Sequence, residues 1–238
     1  MERPIILKAH EVRGILENRQ TQLRRVVKPA VVDKHEKPCP ADYPHKLCNH
    51  TWPGKRVGMF CPDCYQALIA DCPHGQPGDR LWVREAFGWK PELETDPSGA
   101  FSMNKGDCLV YREGSNLSNW ELSKGWCPSI HMPRWASRIL LEIVSVRVER
   151  LQDISQEDAV AEGATSRPNC QGFRNASSGW SLEWPQADPE RHALGDARMA
   201  FANLMCRLDG GKRWNLKPTC IWTDNPWVWV VEFKRVEA

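Results

Sequence analysis

The sequence predicts an α+β fold, a small β-barrel with flanking helices and long loop insertions. Candidate strands outnumber candidate helices, and the first and last extended segments, residues 4–9 and 227–236, are both strongly apolar. With 238 residues and 41% hydrophobic content, the chain can form one core. We therefore predict a single domain over residues 1–238, with insertions at about residues 34–74 and about residues 165–189.

The composition limits the possible partners. The 32 Lys and Arg residues nearly balance the 30 Asp and Glu residues, so any nucleic-acid contact must be a local patch. No apolar run approaches the roughly 20 residues that span a bilayer, and the N-terminal MERPIILKAH lacks the apolar centre of a secretion signal. We expect a cytoplasmic protein with no membrane partner. Its 10 cysteines should then be reduced thiols or metal ligands.

Residues 11–28, EVRGILENRQTQLRRVVK, predict a short helix that runs into a strand. The apolar stripe at helical spacing consists of Val12, Ile15 and Leu16. Asn18 can end the helix because asparagine tolerates a left-handed backbone. A strand is predicted from residue 21 to residue 27, and Pro29 ends it.

Three arginines, Arg19, Arg24 and Arg25, lie within this helix-to-strand segment. A guanidinium carries a fixed set of donors and keeps its charge, so carboxylates, phosphates or solvent must surround it. Two interpretations stay open. The arginines form an anion-facing or base-facing site, or they form a solvated surface with local carboxylate partners.

The insertion at residues 34–74 is rich in Cys, His, Pro and Lys and has little periodicity. Cys61 and Cys64 have the spacing of half a zinc knuckle, in which two thiolates turn toward one tetrahedral ion. Cys39 and Cys48 are our choice for the second pair, and His45 or His50 could substitute. A structural zinc and free thiols on a loop are both open. A catalytic zinc is not favoured, since no histidine–glutamate helix motif accompanies the thiols.

The second half of the chain continues the pattern of strands and loops. Strands are predicted at residues 80–89, 108–112 and 137–151, and loops rich in Gly, Ser, Asn and Pro separate them. Residues 165–189 form a polar insertion that contains tryptophan. A helix at residues 190–208, an extended piece at 219–222 and a strand at 227–236 complete the prediction.

A short helix after residues 137–151 carries a candidate functional carboxylate. Ser155 caps this helix, and Gly163 lies just past its end. Glu162 lies at the C-terminal end, where the helix dipole disfavours a negative charge. A carboxylate in an unfavourable position is a candidate for function, although a solvated glutamate is the commoner outcome.

Four segments in order resemble the ASCH-domain proteins of phages and prophages, a branch of the PUA-like superfamily. These segments are ENRQTQLRRVVKP, PGDRLWVRE, RILLEIVSVRVERLQDISQEDAVAEG and NPWVWVVEF. The resemblance covers most of the chain outside the Cys-rich and Trp-rich loops. It implies a PUA-like β-barrel with helices at its side, and a cleft suited to RNA or to a modified nucleoside.

The chain departs from the family pattern at two positions that matter for catalysis. One branch resembled here, the bacterial acetylcytidine amidohydrolases, uses a lysine, a threonine and a glutamate to cleave an acetyl amide. By the resemblance, Glu162 and Arg25 keep their types, whereas Gln20 stands for the lysine and Leu23 for the threonine. Leucine has no nucleophile and glutamine has no titratable amine. Thr21 could substitute only after a shift of about 7 Å along the strand.

The resemblance and the residues together favour a protein that binds RNA, a nucleotide or a modified nucleoside without hydrolysing it. Arg19 with Arg24 or Arg25 would contact phosphate, and Glu162 or Gln20 would read a base edge. A tryptophan such as Trp82 or Trp135 would stack on the base. One alternative is an amidohydrolase for acylated nucleosides with Glu162 and Thr21 as catalytic groups. Another is a phage accessory protein whose loops bind a host protein.

Overall fold

A computed structural model describes residues 1–28, 62–90, 93–95, 101–103, 108–168, 178–182, 194–208 and 220–236. The zinc-ligand candidates Cys39, Cys48 and Cys61, and the substitutes His45 and His50, lie outside these residues. Cys64 is described only as a backbone position within a helix. The zinc site therefore stays a prediction.

The described residues form eleven strands and five α-helices, with single 3₁₀ turns between them. The strands are β1 (Glu2–Ile6), β2 (Gln22–Val26), β3 (Arg80–Arg84), β4 (Phe87–Lys90), β5 (Leu93–Thr95), β6 (Phe101–Met103), β7 (Cys108–Tyr111), β8 (Leu140–Arg150), β9 (Thr165–Pro168), β10 (Ser178–Ser181) and β11 (Trp227–Val236). The helices are α1 (Ala9–Leu16), α2 (Pro62–Ala70), α3 (Gln156–Ala161), α4 (Ala197–Leu208) and α5 (Ile221–Asp224). The predicted mixed α+β class is confirmed.

A five-stranded sheet in the order β1-β3-β8-β11-β2 is the centre of the fold. β1 pairs with β3 in parallel, and the other neighbours are antiparallel. β1 and β2 are the two edges of this sheet within the described part of the chain. The closed barrel that the resemblance implies stays a prediction.

Helices cover both faces of the sheet, because β11 is apolar on both sides. Trp229 and Val231 point into a core shared with α1 and α2, whereas Val228 and Val230 point into a second core shared with α3 and α4. Strand alternation sends successive side chains to opposite faces, which explains the uninterrupted apolar run WVWVV. The sheet is therefore a central layer, and its edge strand β2 is accessible to elements from either side.

A smaller unit, which we call the side lobe, comprises residues 87–90 and 108–136. Its strands β4 and β7 pair with each other and not with the central sheet. Phe87, Met132 and Ala136 form its small core, and Trp89 and Tyr111 pack against that core.

Several sequence predictions differ from the structure. The strand predicted at residues 80–89 is two strands, since the chain leaves β3 after Arg84 and pairs anew with β7. The piece predicted as extended at residues 219–222 runs into the helix α5. The insertion at residues 34–74 contains α2, and the insertion at residues 165–189 contains the β9–β10 pair. Among the described residues, no helix is long and apolar enough to cross a membrane.

Candidate functional site

The turn between α1 and β2 places Gln20 against the helix that precedes it. Asn18 adopts a left-handed backbone with φ of 55°, as its predicted role at the helix end requires. The N–H groups of Arg19 and Gln20 then both donate to the carbonyl of Gly14, at 2.7 and 3.1 Å. A Cβ at Gly14 would lie 2.8 Å from Gln20 Oε1, so the absence of a side chain there makes room for the buried glutamine.

The short helix α3 brings Glu162 to the outer edge of β2. Ser155 Oγ accepts a hydrogen bond from Asp158 N at 3.0 Å, which confirms the predicted helix cap. At the other end, Thr21 N donates to Ala161 O at 2.9 Å, and Gln20 and Glu162 form an isolated antiparallel bridge. Bridge partners lie side by side, so Gln20 and Glu162 are neighbours in space.

Arg24 is an internal cation that holds three carboxylates. Its Nη1 donates to Glu162 Oε1 at 2.9 Å, and its Nη2 donates to Asp158 Oδ2 at 2.9 Å. Glu149 accepts from both Nε and Nη2 of the same guanidinium. The Arg24 side chain is only 1% exposed, and its guanidinium lies 5.8 Å from the ring centre of Phe201. Arg24 thus has no exposed donor for a phosphate, and we do not retain the predicted phosphate-binding role for it.

Burial raises the pKa of the Glu162 carboxyl from 4.5 to about 7. The positive charge of Arg24 opposes this shift only in part, and the negative charge of Glu11 adds to it. Of the two carboxyl oxygens, Oε1 accepts from Arg24, and Oε2 receives no hydrogen bond from the part of the chain that the structure describes. Glu162 can therefore act as acceptor or donor near neutral pH.

Gln20 presents a second buried polar atom at this edge. Its Nε2 donates to the carbonyl of Gln22 at 3.1 Å, whereas its Oε1 has no hydrogen-bond partner within the described ranges. The side chains of Gln20 and Glu162 are 4% and 5% exposed. An unsatisfied buried acceptor costs about 1–3 kcal/mol, so it indicates a position where a donor from a ligand is favourable.

The other two arginines differ in their availability. Arg25 donates to Glu11 Oε1 and Oε2 at 2.7 and 3.1 Å, a bidentate pair on the α1 side of the sheet. Burial opposes ionisation of Glu11, but Arg25 holds its pKa below the usual range. Arg19 bonds to Glu17, which is half exposed, and to the carbonyl of Gly163 at 2.7 Å. Because exposed pairs are weak, Arg19 is the arginine best able to turn toward a ligand.

Of the predicted residues, Gln20 and Arg24 lie directly beside Glu162, and Arg19 contacts the neighbouring Gly163. Arg25 lowers the pKa of Glu162, so the two charges are within electrostatic reach, but Arg25 pairs with Glu11 on the α1 side of the sheet. A cavity shared by Arg25 and Glu162 stays a prediction. Trp82 lies on β3, three strand spacings or roughly 14 Å from β2. Trp135 packs against Trp89 in the side lobe. Neither tryptophan stacks beside Glu162.

Leu23 and Thr21, the two positions considered for a hydroxyl nucleophile, face away from Glu162. Leu23 is fully buried in the α1-side core, so the position that the resemblance gives to a threonine is an apolar core position. Thr21 is exposed, whereas its neighbours Gln20 and Gln22 are buried. Since side chains alternate along an extended chain, the Thr21 hydroxyl points away from the Gln20 side. The site has an acid–base group without an adjacent nucleophile.

Three carboxylates of this site were not predicted from the sequence: Glu11, Glu149 and Asp158. Glu149 lies on the polar face of β8 and Asp158 in the first turn of α3, both ordinary positions for solvated residues. Their partner Arg24 is 125 and 134 residues away along the chain. Sequence spacing carries no signal for contacts of that separation.

No group of three or more metal-ligating side chains occurs among the described residues. Cys206 and Cys220, for which we expected reduced thiols, form a disulfide that joins the end of α4 to the start of α5, with Cα atoms 5.5 Å apart. No spacing pattern singles out this pair, since the two cysteines lie in different predicted elements. In comparisons with family models, characterised proteins and solved structures, nothing matches this chain.

Proposed function

We propose that the chain is an ASCH-type, PUA-like cytoplasmic protein that binds RNA, a nucleotide or a modified nucleoside at the edge of β2, without hydrolysis. The observation that carries this proposal is that the buried Gln20 Oε1 has no hydrogen-bond partner among the described residues, and that the Gln20–Glu162 bridge puts the buried Glu162 carboxyl beside it. A nucleobase edge presents donors and acceptors side by side and can satisfy both groups.

The cytosine edge illustrates the fit. Its exocyclic amine would donate to Gln20 Oε1, and the protonated form of Glu162 would donate to the ring nitrogen beside it. The pKa of about 7 makes that protonated form accessible at neutral pH. Arg19, held against Gly163 next to the bridge, would contact the phosphate.

The amidohydrolase alternative is less well supported. Glu162 could serve as a general base, but Leu23 and Thr21 supply no hydroxyl on its side. We also propose that Cys39, Cys48, Cys61 and Cys64 hold a structural zinc, which would order the insertion and has no role in this chemistry.

The test combines binding and turnover in one experiment. Purified protein is titrated calorimetrically with cytidine, acetylated cytidine and short single-stranded RNA, and each mixture is analysed for product by chromatography. We expect binding without product, and a loss of about tenfold or more in affinity for Glu162→Met, which removes the hydrogen-bonding group. Glu17→Met is the matched control, because Glu17 is half exposed and pairs only with Arg19 among the described residues.

Three other outcomes would contradict the proposed function. Release of acetate from acetylated cytidine would favour the amidohydrolase. Equal binding by wild type and Glu162→Met would overturn the site. If no nucleoside or RNA binds while a nuclease-resistant host protein copurifies, the accessory-protein alternative replaces the proposal.

A further inference from the structure

We propose that the side lobe binds the nucleotides that flank the base at Glu162, so that the ligand is a single-stranded RNA and not a free nucleoside. This inference rests on the proposed function and specifies its ligand class. Three features of the side lobe support this inference. They are an ion pair that links the lobe to the Gln20 turn, exposed tryptophan side chains, and cations that form no ion pair among the described residues.

An ion pair connects the side lobe to the Gln20 turn. Arg13 Nη1 donates to Glu113 Oε2 at 2.7 Å, and both side chains are largely buried. Arg13 directly precedes Gly14, which packs on Gln20. The carbonyl of Glu113 also accepts from Arg138 Nη2 at 2.9 Å. A short path of contacts therefore runs from the candidate site into the lobe.

Arg138 anchors the lobe to the end of β3. It makes a bidentate pair with the buried Glu85, at 2.9 and 2.8 Å, and its guanidinium lies 4.0 Å from the ring centre of Tyr111. Tyr111 in turn donates to the carbonyl of Ala136 at 2.9 Å. These contacts hold the backbone of residues 136–138 in place, and Trp135 directly precedes that segment.

The lobe presents large aromatic side chains to solvent. Trp135 is 68% exposed and Trp120 is 83% exposed. The Trp135 ring lies 5.9 Å from the Trp89 ring at a tilt of 38°, so one indole supports the other. Exposed tryptophan supported from behind is the arrangement that stacks on an unpaired base, because every base has a π-face.

The charges of the lobe favour an anionic partner such as RNA over a neutral or basic one. Its carboxylates are engaged internally: Glu113 pairs with Arg13, and Glu121 accepts from Ser118 N at 2.7 Å. The cations Lys90, Arg112 and Lys124 are exposed and form no ion pair with any residue that the structure describes. A lobe that carries both exposed tryptophans and unpaired cations matches a single strand, which offers bases for stacking and phosphates for the cations.

The test compares a strand with a monomer. Binding of a labelled oligocytidine of about ten nucleotides is measured by fluorescence anisotropy, and binding of cytidine monophosphate by calorimetry. Trp135→Ala should weaken oligocytidine binding about tenfold and leave monophosphate binding unchanged, whereas Trp135→Phe should keep most of the affinity. Val144→Ala, which truncates an exposed apolar side chain on β8, is the control and should bind like wild type.

The outcomes separate this inference from the proposed function. Unchanged oligocytidine binding by Trp135→Ala overturns the lobe contact and leaves the Glu162 site standing. A loss for Trp135→Ala with no effect of Glu162→Met supports the lobe and overturns the proposed function. If wild type binds no oligocytidine, or the lobe retains a protein from lysate that Trp135→Ala loses, the RNA assignment is overturned.

Discussion

Arg24 Nη1 lies 2.9 Å from Glu162 Oε1, and both side chains are buried where α3 meets the outer edge of β2. A buried ion pair gives little net stability compared with an apolar pair, because two charges must leave water. The pair does, however, hold the two side chains in a defined position. Arg24 fixes one carboxyl oxygen of Glu162 next to the Gln20–Glu162 bridge.

Removal of Arg24 should be strongly destabilising. Arg24→Met leaves the carboxylates of Glu149, Asp158 and Glu162 without their shared cation, and breaking a buried pair costs about 3–5 kcal/mol. Urea denaturation followed by circular dichroism would measure this loss. Arg19→Ala is the control and should cost about 1 kcal/mol or less, because its partner Glu17 is half exposed. Equal losses of stability for Arg24→Met and Arg19→Ala would contradict the ion-pair network around Arg24.

Glu162 should make the stability of the protein depend on pH near neutrality. Its folded-state pKa of about 7 lies above the ordinary value of 4.5, so the folded state binds more protons between these values. Proton binding by Glu162 therefore stabilises the folded state. This stabilisation is complete below pH 4.5 and is lost as the pH rises through 7, so the free energy of unfolding falls by about 3 kcal/mol in total.

The Glu162→Gln variant isolates this effect. Its free energy of unfolding, minus that of wild type, should rise between pH 4.5 and pH 7 and then stay level. Glu11 and Asp158 have lowered pKa values, so they titrate below this window and cancel in the difference. Urea denaturation at a series of pH values provides the data. A constant difference across the window would show that Glu162 titrates normally.

Gly14 should not tolerate even one added methyl group. The Cβ of Gly14→Ala would lie 2.8 Å from Gln20 Oε1 and 3.0 Å from Gln20 Cβ, so the Gln20 turn must move. We expect a loss of about 1–3 kcal/mol in thermal or urea denaturation, together with weaker ligand binding. Gly195→Ala meets only Met199 Sδ at 3.6 Å and should be nearly neutral. A neutral Gly14→Ala would indicate that Gln20 is not held in place.

The sequence predicted much of this local geometry. The α1 stripe, the Asn18 helix end and the Ser155 cap are decided by residues within a few positions of each other, and all three are present. The partners of Arg24 are not decided locally. Whether the guanidinium of Arg24 contacts carboxylates or stays free for a phosphate depends on which distant elements lie beside β2. β8 and α3 come near β2 only after β11 has paired with both β2 and β8.

The disulfide should stabilise the α4–α5 side of the protein. Cys206 and Cys220 are 14 residues apart, and closing a loop of that length contributes about 3 kcal/mol. A reductant should therefore lower the melting temperature of wild type. The Cys206→Ala/Cys220→Ala double variant should melt lower and show no further decrease with reductant from this site. Detection of both residues as free thiols by mass spectrometry would exclude the bond.

Metal analysis should decide the prediction for the Cys-rich insertion. We expect about one zinc per chain by elemental mass spectrometry, and its loss in Cys61→Ser/Cys64→Ser. Cys127→Ser is the control, because Cys127 is a free cysteine of the side lobe, outside the insertion. Metal-free wild-type protein would favour free thiols instead.

The places of Trp82 and Trp135 in the fold could not be predicted from the sequence. Composition identified Trp82 and Trp135 as stacking candidates, but which end of the sheet each occupies depends on strand order. The order β1-β3-β8-β11-β2 separates β3 from β2, although the two strands belong to the same half of the chain. The exposure of Trp135 depends on how the side lobe packs, which no local sequence pattern decides.

The position of β11 between β8 and β2 has a consequence for synthesis of the protein. Gln22 pairs with Glu232, so the edge strand that carries Arg24 lacks its hydrogen-bonded neighbour until β11 has left the ribosome. Pairings of such wide separation form slowly and leave intermediates open to chaperones and proteases. A nonsense mutation shortly before Trp227 would thus leave β2 without its partner strand and disrupt the candidate site around Arg24 and Glu162.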